Sequence, residues 1–199
     1  MTTPPLISPV SELGNGYGSL NAFAAVKGPG GARAFIEFLG AVFDGTETPE
    51  AHAVDTDGLL IHAEVRIGDS CLMVVDSKPD WVFTPALLQV NVADCDEILR
   101  RAAARGARII TETTPFYGAS SLARFIDPWR NVWWLFGPAI ENAPEPTWDP
   151  DAATEESEIH ATICRALRLE YDDRPEPIEE VRLPEGVEAR DLSADLSGA

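Results

Sequence analysis

One succession of hydrophobic periods occurs twice between residues 20 and 138, and this limits the folds open to the chain. In the first pass, residues 20–26 read as a short strand, broken by Gly28-Pro29-Gly30-Gly31. Ala32, Phe35, Ile36, Leu39, Val42 and Phe43 then fall at i, i+3, i+4, i+7, i+10 and i+11, one face of an amphipathic helix ending near Asp44-Gly45. A weak strand around residues 50–54 leads into a hairpin. Ile61, Ala63, Val65 and Ile67 alternate there with His62, Glu64 and Arg66, and Gly68-Asp69-Ser70 turns the chain into an apolar return strand, residues 71–75.

In the second pass, Leu88, Val90 and Val92 alternate with Leu87, Gln89 and Asn91. Asp94 caps a helix with Glu97 three residues on, and Ile98, Leu99, Ala102 and Ala103 form its stripe up to Gly106. Residues 107–111 read as a strand, and residues 121–126 and 131–136 as a hairpin around Asp127-Pro128-Trp129-Arg130. Arg130 stands where a turn glycine would serve, and Asn131 is expected to take any positive φ. The pattern predicts a flexible arm (1–18), two βαβββ modules (19–76 and 85–138, linker 77–84) and a tail (139–199).

The net charge is −18. Residues 1–138 carry 16 acidic and 10 basic side chains, residues 139–199 carry 17 and 5, so most of the acidity is in the tail. This balance argues against nucleic acid and anionic membranes, which recruit Lys and Arg, and it suits a cationic ligand. In the tail, residues 154–171 read as a helix capped by Thr154, with Ile159, Ile163, Ala166 and Leu167 as its stripe. A stripe needs a partner, and its own domain or a second subunit is expected. Residues 172–199 read as extended or disordered. The three cysteines, Cys71, Cys95 and Cys164, form no C-x-x-C pair, so a reduced, cytoplasmic protein is expected. The first ten residues lack a signal-peptide pattern, and no apolar run is long enough to span a bilayer. Cys95, just after a helix cap, is expected to have a lowered pKa. No nucleophile elbow, phosphate loop or dinucleotide fingerprint occurs.

The segments ARAFIEFLGAVFDG, IHAEVRIGDSCLMVVD, TPFYG and ARFIDPWRNVWWLFGP resemble the vicinal oxygen chelate superfamily, which includes glyoxalases, extradiol dioxygenases and bleomycin- and fosfomycin-resistance proteins. The PhnB-like branch is the nearest likeness. The resemblance covers roughly residues 20–138. It implies an α+β fold in which tandem βαβββ modules curve a mixed sheet around a cavity, with the helices on the convex side and a C-terminal helix and acidic tail added.

The resemblance puts His62, Glu64, Arg66, Gln89 and Asn91 on the cavity wall, with Phe116, Tyr117 and Trp134 beside them, Trp133 in the core and Trp81 placed to close the mouth. Alternation by itself suits a solvated face equally well. Metal enzymes of the superfamily put ligands on the first and last strands of each module. The matching positions are Asn21, Leu72, Leu87 and Trp134, a set without the usual donors, so no metal cofactor is implied. The implied function is binding or sequestering an aromatic or cationic small molecule, as drug-resistance relatives do between the subunits of a homodimer. Two alternatives stay open. One is a metal-dependent lyase, isomerase or dioxygenase using His62 and Glu64; the other is a regulatory or assembly module acting through the acidic tail.

Overall fold

The computed structural model describes residues 17–144, 146–147 and 157–169. Module one runs β1 (Ala22–Val26), α1 (Gly31–Phe43), β2 (Thr46–Glu47), β3 (Ala53–Val54), β4 (Leu60–Ile67) and β5 (Ser70–Asp76). Module two runs β6 (Leu87–Asn91), α2 (Cys95–Ala103), β7 (Arg108–Phe116), β8 (Ser120–Ile126) and β9 (Val132–Pro138), and α3 (Glu158–Leu169) follows. Each module builds one mixed sheet in the same order, β1-β5-β4-β2 with β3 also on β4, and β6-β9-β8-β7. The first strand pairs parallel with the last, and the hairpins pair antiparallel. The fold is α+β, with the expected repeat.

The weak strand expected at residues 50–54 is split. Thr46–Glu47 and Ala53–Val54 both pair with β4, on either side of a single 3-10 turn, Pro49–Ala51. Proline has no N–H for a ladder, so a continuous strand cannot form there. The pairing of β3 with β4 also slips between Ala53 and Val54. As a result Leu60 enters the core while Ile61 is 47% exposed, contrary to the simple alternation.

α1 and α2 pack on one face of the two sheets, and a single apolar core joins the modules. α1 buries Ala32, Phe35, Phe38, Leu39, Val42 and Phe43; Phe38 replaces the expected Ile36, which is only partly buried. Phe35 and Phe38 meet the Trp129 ring edge-on at 5.2 and 5.5 Å, and Phe43 lies 4.7 Å from Trp133. Each such aromatic contributes about 1.5–3 kcal/mol by leaving water.

Two carboxylates lock the frame. Asp76, at the end of β5, accepts from Ala32 N at 2.7 Å and Leu60 N at 2.8 Å. It thereby caps α1, whose own cap residue, Gly30, has no side chain. Gly31 has φ +61°, and a Cβ there would come within 2.7 Å of Asp76 Oδ1, so glycine is required. In module two, Asp127 accepts from Trp129 N, Asn131 N, Asn131 Nδ2 and Trp133 Nε1, all at 2.8–2.9 Å. Asn131 Oδ1 in turn accepts from Ala86 N, and Trp129 Nε1 donates to Pro29 O across the modules. The DPWRN segment is therefore a structural clasp. Its positive φ falls on Arg130 (74°) and not on the expected Asn131, whose side chain and amide are engaged by Asp127.

α2 keeps its expected cap, with Asp94 Oδ1 accepting from Glu97 N at 3.0 Å. The Glu97 side chain turns outward to Arg100 and Arg101. α3 docks on its own domain, against the face of the module-two sheet opposite α2: Ile163 and Ala166 are buried with Ile126 and Val132, beside Ile110 and Trp134. Leu167, expected in the stripe, is 42% exposed. Thr154, Glu155, Glu156, Tyr171 and the segment 172–199 lie outside the described residues, as does nearly all of the arm, residues 1–16.

Candidate functional site

On each sheet a row of side chains crosses the module's first, last and next-to-last strands on the face away from α1 and α2. In module one the row is Phe23, Met73, Glu64. Glu64 is 6% exposed, although it sits on a sheet face against which no described helix packs. Its carboxylate accepts from the Tyr17 hydroxyl, lies 3.2 Å from His62 Nε2 and 4.0 Å from the Cys71 thiol. The Tyr17 bond holds the Glu64 carboxyl below its usual range; burial works against this, and His62 works with it. The same bond raises the Tyr17 hydroxyl, and burial raises the Cys71 thiol, with Glu64 adding to it. Phe23 is 55% exposed, and its ring lies 6.4 Å from that of His62. The result is a buried, ionised carboxylate beside a half-exposed aromatic ring.

In module two the corresponding row is Gln89, Trp134, Arg124, with Thr111 beyond on β7. Arg124 is fully buried. Its guanidinium lies 3.9 Å from the Trp134 ring centroid, and Nη1 donates to Ile159 O of α3 at 2.5 Å and to Thr111 Oγ1 at 3.3 Å. Thr111 and Thr162 join sheet to helix at 2.8 Å. Burial pulls the Arg124 pKa down to about 10, with only the Cys164 thiol opposing. This face, expected to wall a cavity, is instead covered by α3.

The expected site residues therefore do not converge. His62, Glu64 and Arg66 share the module-one face. Gln89 and Asn91, on the edge strand β6, open into a cleft of about 760 Å³ between the modules, shared with Asn21 and Leu72. Phe116 packs on Tyr117 at 4.9 Å and on Phe136 at 5.4 Å, near Trp134. Trp81 is 47% exposed in the linker, outside these clusters. Trp133 lies in the core and Trp134 on the opposite face, as expected.

Two groups, Tyr17 and Arg124, join the expected site residues. Tyr17 lies in the segment expected to be a flexible arm, and its reach to Glu64 gives it a role. Arg124 carried a signal, a lone charge within the apolar strand SLARFI. Cys95 runs opposite to expectation: it is 3% exposed, and burial raises its thiol, outweighing the hydrogen bond with Ser121 that lowers it.

Three of the four positions matched to superfamily metal ligands offer no donor to a divalent ion, and the Oδ1 of the fourth, Asn21, accepts from Gly18 N. Leu72 belongs to the apolar core, Leu87 is a 61% exposed hydrocarbon, and Trp134 stacks on a guanidinium whose charge opposes a cation. Among the described residues, no group of three or more His, Cys, Asp or Glu is placed to hold a metal. No described helix is long and apolar enough to cross a membrane.

No protein-family model matches the sequence, and no curated protein does. Among solved structures, the chain is similar to TioX from Micromonospora sp. ML1, at 20% identity over 62% of this chain and 98% of that one, with a TM-score of 0.46. It is similar to a putative 3-demethylubiquinone-9 3-methyltransferase, PhnB protein, from Bacillus cereus (19%, 58% and 96%, TM-score 0.46). A glyoxalase/bleomycin resistance protein/dioxygenase family enzyme from Burkholderia phytofirmans PsJN is a third (21%, 60% and 95%, TM-score 0.45).

Proposed function

We propose that the protein binds a small organic cation on the exposed face of module one, without a metal. The observation that carries this reading is Glu64: a carboxylate 6% exposed, kept ionised by Tyr17 and His62, beside the half-exposed ring of Phe23. A buried carboxylate attracts a cation more strongly than one in bulk water, because the local dielectric is lower. The aromatic ring and Met73 supply an apolar and quadrupolar wall suited to an alkylammonium or aromatic ammonium group. Sequestration of such a ligand needs no chemical step.

Titration calorimetry with benzyltrimethylammonium tests the reading. Saturable heat is expected with the wild type and none with Glu64→Gln, which keeps the shape and removes the charge. A wild type without saturable heat for this or simpler alkylammonium probes would sink it.

The hydrogen-bonded Tyr17–Glu64–His62 chain favours one second reading, general acid–base catalysis on the bound cation. Turnover that falls by two or more orders of magnitude in both Glu64→Gln and His62→Gln, with binding retained in His62→Gln, would establish it.

A further inference from the structure

Arg124 is an unfinished charge. Its Nη1 is engaged twice, but Nε and Nη2 have no hydrogen-bond partner among the described residues. These two N–H groups lie side by side in one plane, the guanidinium edge that grips a carboxylate or phosphate with two parallel bonds. β7, β9 and α3 add to the deficit. Trp134 Nε1, Thr113 Oγ1 and, on α3, His160 Nδ1 are buried and equally unpartnered among the described residues. Native interiors leave few such atoms, and two on one fully buried guanidinium, with the indole N–H of the ring it lies against, mark a missing oxygen-rich partner.

α3 closes this face incompletely. Its apolar hold rests on Ile163 and Ala166, and a cavity of about 410 Å³ separates β7 from its first turns, lined by Thr111, Thr113, Glu158 and Thr162 among others. Enclosing an uncompensated guanidinium opposes that hold. The helix therefore sits over the sheet with its apolar contacts favouring closure and the buried charge favouring release.

We propose that Arg124 and Trp134 form a binding site for a small oxyanion, a carboxylate or a phosphate, entered when α3 lifts from the module-two sheet. The oxyanion takes the Nε/Nη2 edge of Arg124. Thr111 keeps Nη1 oriented, and Trp134 holds the guanidinium plane from one side. The site lies on the other module from Glu64, so it stands or falls independently of the cation site.

The test uses the full chain, titrated by calorimetry with sodium benzoate in one arm and inorganic phosphate in the other, for the wild type, Arg124→Lys, Arg124→Met and Ile163→Asp. Saturable heat is expected in one arm or both, and the responding arm assigns the oxyanion class. Arg124→Lys keeps the charge without the fork and should weaken binding by roughly tenfold or more. Arg124→Met should abolish binding yet melt no lower than the wild type, because an apolar residue of similar volume removes the unpaired charge. Ile163→Asp frees the helix and should tighten binding. The proposal is overturned by a lack of saturable heat in both arms for both the wild type and Ile163→Asp, or by undiminished binding in Arg124→Met. Melting of Arg124→Met well below the wild type also overturns it, since the bonds to Ile159 and Thr111 would then be the residue's whole role.

Discussion

The two modules share strand order, parallel closure and a three-strand row on the far face, yet they use that row in opposite ways. Module one ends its row in a carboxylate, Glu64, and no described helix packs over it. Module two ends its row in a guanidinium, Arg124, and lays a helix over it. The hairpins diverge too: module one turns at Gly68 with φ 59°, module two at Arg130 with φ 74°. Topology fixes where a charged side chain can stand on a repeated sheet. The sign of that charge, and what covers it, are set by single residues and by sequence outside the repeat.

The locking carboxylates should separate the modules most sharply. Asp127→Ala strands four buried donors at once and is expected to cost on the order of 4 kcal/mol in denaturant unfolding. Asp76→Ala strands two, at a helix start and a strand start, and should cost about 1–2 kcal/mol. Equal losses would mean that the clasp of module two is no stronger than the cap of module one.

The far faces should differ in their response to pH. The folded pKa of Glu64 lies below its ordinary 4.5, so its stabilisation is complete above that value and is lost as pH falls through the folded one. Tyr17 is raised above 10.0, so its contribution is complete below that value and is lost as pH rises through the folded one. The melting temperature of Tyr17→Phe should fall less steeply than that of the wild type at both extremes. Parallel curves would show that the Tyr17–Glu64 bond does not couple to folding.

The smallest effect is expected at the turns. Arg130→Gly relieves a left-handed residue and should stabilise by about 0.5–1 kcal/mol, less whatever packing Arg130 makes over Phe83 at 5.6 Å. Gly68→Ala should destabilise by a similar amount. A destabilised Arg130→Gly would mean that the contact with Phe83 outweighs the strain.

Most of the fold was legible because its periodicities are strong. Most of the α1 and α2 stripes (Ile36 is only partly buried and Ala103 is exposed), the alternation in β6 and the Asp94 cap are local signals that the structure keeps. Reading failed where a distant partner decides. Ile61 is exposed because β3 slips against β4, and Cys95 is a buried thiol because Ser121 and Gly137 close over it. The candidate site was half legible. Alternation placed His62, Glu64 and Arg66 on one face, and the resemblance put Trp134 on its wall. No local pattern could place Tyr17 on Glu64, 47 positions away, or Ile159 on Arg124, 35 positions away.

The Trp129 indole, donating to Pro29 O while its ring receives Phe35 and Phe38, ties the last hairpin of the repeat to the loop that opens its first helix. A protease cut in the linker, residues 77–84, would sever the chain without parting this joint. The two fragments should stay together as a non-covalent complex through gel filtration and separate only in denaturant. Expressed as separate polypeptides, the halves should find each other and restore the intact fold.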